Sequence, residues 1–153
     1  MVSKNISYKE ATYSNTAKRL GVDNTPDAEQ FSNMIYVAEG IFQPVREHFG
    51  VPIYISSFFR SEALNKAVRG SASSSHKKGE AMDLDADVFG VINNADIFHY
   101  IKDNLEFDQL IWEFGDDKSP DWVHVSLAKR QNRNQILKAY KVGGKTKYEV
   151  YGG

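Results

Sequence analysis

An aspartate set inside an apolar run is the most restrictive feature of this chain. The stretch "SSSHKKGEAMDLDA" passes from a serine-rich loop through His76 into a strand-like segment carrying Asp83 and Asp85. A carboxylate in such a run is unfavourable unless something pairs with it. Two arrangements meet that condition. Either Asp83 faces solvent beside an unrelated loop histidine, or it is one ligand of a metal whose other ligands lie elsewhere in the chain.

The composition narrows the choice. There are no cysteines among the 153 residues, which excludes disulfides, a thiolate nucleophile and a cysteine-type zinc site, so any metal rests on histidine and carboxylate. A hydrophobic content of 41% and a charged content of 25% suit one globular domain, read here as residues 1–153. A net charge of -1 gives no electrostatic footprint for nucleic acid or an anionic membrane. The first twenty residues, "MVSKNISYKEATYSNTAKRL", lack the apolar core of a signal peptide, and residues 1–15 read as a flexible start. No apolar run is long enough to span a bilayer. The expectation is a monomer made in the cytoplasm, without membrane insertion, that reaches any extracellular substrate by a separate route.

Periodicity outlines the elements. "NTPDAEQF" opens a helix, with Thr25 as N-cap and Pro26 in the first helical position. Phe31, Met34, Ile35, Ala38, Ile41, Phe42, Val45 and Phe49 then recur at helical spacing. Pro44 is expected to kink or split this helix and Gly50 to end it. "VPIYISSFF" reads as a strand, and "SEALNKAVR" as a short helix closed by Gly70. Three further segments follow: a strand over "AMDLDADV", an Asn-capped helix over "NNADIFHYIKDNL" and a strand over "FDQLIWEF". In "DWVHVSLA" the alternation places Trp122, His124 and Ser126 on one face. "ILKAYKVGGKTKYEVY" reads as a hairpin turning at Gly143 and Gly144, within a terminal extension over 132–153. The fold class is α+β, a mainly antiparallel sheet flanked by helices.

Four histidines are available. His48, near a helix end, and His99, between Phe98 and Tyr100, read as structural. His76 and His124 with Asp83 make two imidazoles and one carboxylate, a set that suits catalytic zinc with an open fourth position. A scattered trio of this kind also arises by chance, so the spacing alone does not decide.

The flanking residues carry a resemblance. "SSHKKGEAMD" follows S-x-H-x-x-G-x-A-x-D, "DWVHVS" puts an acid in D-x-x-H before the last histidine, and "ISSFFRSEALN" ends a strand on an arginine and enters a helix. In this order they resemble the zinc D-Ala-D-Ala carboxypeptidases and dipeptidases and their L-alanyl-D-glutamate endopeptidase relatives, of Hedgehog/DD-peptidase fold, from about Thr16, including "TAKRLGVDNTP", to Ser126. The resemblance implies one zinc ion on His76, Asp83 and His124, acting on peptidoglycan stem peptides. It implies Asp121 as the catalytic acid and base, Arg60 as the donor to the oxyanion, and Ser74 near a terminal carboxylate of the substrate. Relatives usually read "SSGYR" where this chain has "SSFFR", so Phe58 replaces a small residue and reads as core packing.

Other residues stay open between two readings. Glu113 either faces the cleft and orients a ligand histidine or is a solvated strand end. Asp85 shares a strand face with Asp83 and supports it or not. Trp122 lines a substrate groove or packs in the core. At the level of the whole chain, the peptidase reading, in a phage-type lysis enzyme acting on the cell wall, stands against a non-catalytic zinc-containing binding module or virion component of the same fold. The second would want four protein ligands, and three match.

Overall fold

Strand alternation sorts one sheet into a core face and an open face. The computed structural model describes residues 1–152, so Gly153, the last residue of the expected 132–153 extension, lies outside the described residues. Six strands, β1 (Tyr54–Ser57), β2 (Ala81–Asp85), β3 (Gln109–Glu113), β4 (Trp122–Ser126), β5 (Gln135–Val142) and β6 (Lys145–Val150), lie in the order β1-β2-β4-β3-β5-β6. Neighbours are antiparallel except β3 and β5, which run parallel. The α+β class with a mainly antiparallel sheet is the observed architecture.

Cross-strand partners Leu84 and Val123, Met82 and Val125, and Trp112 and Val123 share the core face. They are buried with Met34, Val37, Ile41 and Val45 from one helical layer and Ile97, Phe98 and Ile101 from another. The helices are α1 (Tyr8–Thr12), α2 (Asn15–Leu20), α3 (Ala28–Val37), α4 (Gln43–Phe49), α5 (Glu62–Ala67) and α6 (Asn94–Asn104). None is long and apolar enough to cross a membrane.

Several boundaries differ from the sequence expectation, each for a local reason. Asp27, not Thr25, caps α3. Its Oδ1 accepts the Gln30 N–H at 2.7 Å, and Gln30 Oε1 accepts the Asp27 N–H at 2.8 Å, a reciprocal capping box. Thr25 is drawn aside, donating its hydroxyl to Asp23 at 2.7 Å. The long helix does split, but through a π-helical turn over Ala38–Phe42 that precedes Pro44. Pro44 has no N–H for the carbonyl four residues back and its ring crowds that carbonyl, and the wider turn removes both problems. Gly70 does not close α5, because Arg69 takes the left-handed conformation at φ 58°. What excludes a side chain at Gly70 is contact, since a Cβ there would lie 2.0 Å from Asn65 Oδ1. The N-terminus is not a loose start, because Val2, Ile6 and Ala11 are buried in the core. Phe58 is buried there too, and His48 stacks on Tyr100 with ring centroids 4.1 Å apart.

The terminal hairpin turns through Gly143 and Gly144, whose φ angles of 56° and 79° fit a two-residue turn. It is not an appendage. Pairing of Glu113 with Ala139 and Ala139 with Tyr148 makes β5 and β6 a continuation of the sheet.

One buried side chain fastens the chain entering β4. Asn94, fully enclosed at the start of α6, donates to Asp85 Oδ1 at 3.0 Å and to the Asp121 carbonyl at 2.9 Å, and accepts the Ala86 N–H at 2.6 Å. Asp85 therefore supports the start of β4 rather than Asp83. Asn94→Ala would strand several of these groups and is expected to cost about 3 kcal/mol. A fall in Tm of about 10 °C by calorimetry or circular dichroism would register it.

Candidate active site

On the open face of the sheet, cross-strand pairing brings the first two candidate ligands together. Asp83 of β2 is the partner of His124 on β4, and Ile111 of β3 is the next partner across. Residues directly opposite on antiparallel strands have adjoining side chains, and Asp83 Oδ1 lies 3.0 Å from His124 Nδ1.

His76 reaches the same oxygen from a loop. It sits in a 3-10 turn over Ser75–Lys78, where its own N–H donates to the capping Ser74 hydroxyl at 3.3 Å. Its Nδ1 donates to the Phe58 carbonyl at 2.7 Å, while the Arg60 N–H donates back to the His76 carbonyl at 3.1 Å. With the proton on Nδ1, Nε2 carries the lone pair. That atom is buried, has no hydrogen-bond partner and stands 3.3 Å from Asp83 Oδ1. A lone pair aimed at a carboxylate oxygen is repulsive unless a cation sits between them.

Gly79 holds the turn in place. Its φ is 77°, and a Cβ there would meet the Gln30 carbonyl oxygen at 2.5 Å. The Gln30 and Asn33 side chains of α3 donate to the carbonyls of Lys77 and Lys78, each at 3.0 Å. The glycine of H-x-x-G is thus required by a left-handed backbone packed against a helix.

The electrostatics favour a metal over a proton. Burial lowers the pKa of His76, which disfavours imidazolium. Burial alone would raise Asp83, but its contacts with the two imidazoles, including the hydrogen bond with His124 Nδ1, hold it well below the ordinary carboxylate range. One donor atom from each of His76, Asp83 and His124 lies within 4.8 Å of the others, a set that fits zinc.

The cluster lies in a cleft of about 660 Å³ whose walls include Arg60, Ser74, Trp122 and Glu113. Arg60 Nη2 is 3.7 Å from Asp83 Oδ2, and the head group is braced by Asn65 Oδ1 at 3.1 Å and Ser57 Oγ at 3.3 Å. Trp122 packs edge-on against Phe114. Asp121 is not brought to this cleft. It is exposed, precedes Trp122 and so falls out of phase with His124 along β4, and its charge helps raise the pKa of nearby Asp87, after the larger effect of burial. Its backbone is held between the Glu113 carbonyl and Asn94.

Glu113 lines the cleft that Asp121 does not reach. It is the cross-strand partner of Trp122, on the face of Ile111 and His124, and is 7% exposed. No hydrogen bond joins it to a histidine among the described residues, so it does not orient a ligand as one reading expected. Burial pushes its pKa up to about 7, with Asp83 adding to the rise and His124 and Lys141 opposing it. Lys141, Thr146 and Tyr148 of the terminal hairpin complete the far wall. Sequence reading missed these three because only the parallel β3–β5 pairing brings them there. His99 stays outside the site, its ring centroid 6.0 Å from that of Trp112.

Among known families, the Peptidase M15 model matches residues 4–126. No curated protein matches the chain.

Two outcomes follow from the geometry. Gly79→Ala should cost about 2 kcal/mol through left-handed strain and the carbonyl clash. By displacing His76 it should also weaken zinc binding about tenfold in a chelator competition, the range seen when a ligand's support is lost. The second outcome concerns Glu113 in the metal-free protein. A carboxyl whose folded pKa is raised makes the folded state bind its proton more tightly than the unfolded state does. Stability therefore falls as pH rises from the unfolded value of 4.5 towards about 7. Glu113→Gln should raise Tm relative to the parent at pH 8 and leave it little changed at pH 4.

Proposed function

The chain belongs to the peptidase M15 family of zinc metallopeptidases, and from that premise we propose that it hydrolyses amide bonds in peptidoglycan stem peptides, with Glu113 as the group that moves the proton. The observation carrying this reading is the buried, unpartnered His76 Nε2 aimed at Asp83 with a raised-pKa carboxyl in the same cleft. His76, Asp83 and His124 would hold one zinc ion. When bound, zinc would activate water and polarise the scissile carbonyl.

The remaining chemistry belongs to the protein. Ionised Glu113 accepts a proton from the attacking water as its oxygen bonds to the carbonyl carbon. Glu113 then returns that proton to the amide nitrogen as the C–N bond breaks, leaving an amine and a carboxylic acid whose remaining proton passes to solvent. A carboxyl with a pKa near 7 suits both halves, because it neither holds the proton too tightly nor surrenders it too late. Arg60, braced by Ser57 and Asn65, offers a fixed positive charge beside the carbonyl oxygen as it becomes negative. Ser74 and Trp122 line the substrate's path. The substrate is a peptide of the D-Ala-D-Ala carboxypeptidase or L-Ala-D-Glu endopeptidase type, bound by a single chain without nucleic acid or membrane.

Mass spectrometry of purified muropeptides incubated with zinc-loaded protein tests the reading. Loss of a terminal D-alanine marks a carboxypeptidase, and a cut between L-alanine and D-glutamate marks an endopeptidase. Glu113→Gln should retain zinc and lower kcat by about a thousandfold, whereas Asp121→Ala should keep most activity. The reverse pattern would return the proton to Asp121. The acidic limb of kcat/KM should lie at or below about 7, since nearby zinc lowers the pKa of Glu113. It should vanish in Glu113→Gln.

A further inference from the structure

The cleft's cations are unequally committed. Four line it, Arg60, Arg69, Arg133 and Lys141, against two carboxylates, Asp83 and Glu113. Arg60 is engaged as described, and Arg133 is clamped on Asp108 at 2.7 and 3.1 Å. Lys138, three positions before Lys141 on β5 and out of phase with it, is neutralised by Asp117 at 3.0 Å. Lys141 has no carboxylate within ion-pair distance among the described residues. Its ammonium donates to the neutral Thr146 hydroxyl at 3.0 Å and lies 5.2 Å from the centre of the Phe114 ring. Phe114 itself is held at a positive φ of 58°, a strained conformation for a bulky residue.

The register says where this ammonium is. Glu113 pairs with Ala139, so Lys141 is the next residue on that face, with Thr146 as its partner on β6. Ala139, between them in the register, is fully buried, while Glu113 and Lys141 both line the cleft. These residues fall after the family match, which ends at residue 126. A positive group steadied by a hydroxyl and a ring, facing a cleft in a chain of net charge -1, is suited to an anion the protein does not itself supply.

We propose that the β5–β6 hairpin forms a subsite for a carboxylate of the peptide substrate, received by the Lys141 ammonium beside Glu113. The proposal rests on the peptidase reading for the identity of the substrate. It makes the hairpin a determinant of selectivity for acidic over amidated peptides.

The test measures binding and cleavage separately. Zinc-loaded Glu113→Gln protein, which preserves the peptide, is titrated calorimetrically with L-Ala-γ-D-Glu-L-Lys-D-Ala-D-Ala and with its forms amidated at the D-Glu α-carboxylate or at the C-terminus. Amidating the carboxylate that Lys141 receives should weaken binding about fivefold, the scale of a partly solvated ion pair. Adding Lys141→Met should produce the same loss for the free acid and no further loss on that amidation. Equal weakening of acid and amide forms by Lys141→Met would overturn the subsite, as would absence of binding by any of the peptides. An identical amide-selective loss in Arg69→Gln would also overturn it, assigning selectivity to the overall positive field. Cleavage is followed in parallel with the otherwise unaltered protein. Coupling without cleavage would keep the subsite and sink the peptidase reading, and cleavage without coupling would do the opposite.

Discussion

The site turns on one carboxylate oxygen facing two imidazoles. Asp83 Oδ1 lies 3.0 Å from His124 Nδ1 and 3.3 Å from His76 Nε2, and the second contact has no hydrogen to make it attractive once Nδ1 of His76 is bonded to Phe58. Left without a cation, the arrangement is costly, because buried charge needs a partner. Much of the surrounding structure serves to keep these groups in place. The β2–β4 register sets Asp83 opposite His124. The Phe58 carbonyl fixes the His76 tautomer, and the close approach of Gly79 to α3 fixes the turn that carries it.

The same sheet explains how a hydrophobic core and a charged cleft coexist within a few ångströms. Odd and even positions on β2, β3 and β4 separate completely, with Leu84, Trp112 and Val123 turned to the helices and Asp83, Glu113 and His124 turned to the cleft. That separation lets Glu113 be nearly inaccessible, and its raised pKa follows from the enclosure. The hairpin then walls the cleft on the side away from His76, placing Lys141 and Tyr148 near Glu113. Burial and the negative charges of Glu113 and Asp83 raise the pKa of the Tyr148 phenol, so the wall is electrically part of the site.

Much of this was legible in the chain, and the failures divide into local ones and ones that depend on strand pairing. His76, Asp83 and His124 stood out because a ligand trio needs particular donor atoms and the flanking glycine and serines leave a local pattern. Phe58 was rightly read as core, since an aromatic in an apolar run has few other places to go. Asp121 was assigned the proton-transfer role by its place in the D-x-x-H pattern of the family the chain resembles, and Glu113 only the orienting of a histidine. Strand phase works against that choice, because D-x-x-H puts the two side chains on opposite faces unless the strand bends, whereas Glu113 reaches the cleft from the neighbouring strand. Thr25 lost the cap to Asp27 because only Asp27 has a partner three residues on, Gln30, that can complete a reciprocal capping box, whereas Thr25 is followed there by Ala28.

By itself the sequence determined the broad order of helices and strands, the two faces of each strand and the absence of thiol chemistry, which depend on local periodicity or residue type, and it carried the motif pattern that made His76, Asp83 and His124 candidate ligands. Tertiary structure alone decided which strands became neighbours. That choice put Glu113 rather than Asp121 in the cleft and added β5 beside β3 in parallel, making the hairpin a wall of the site. It also brought the Phe58 carbonyl to His76. The physical reason is that pairing between distant segments is selected by the total burial and hydrogen bonding of the whole sheet, a quantity no single stretch of sequence contains.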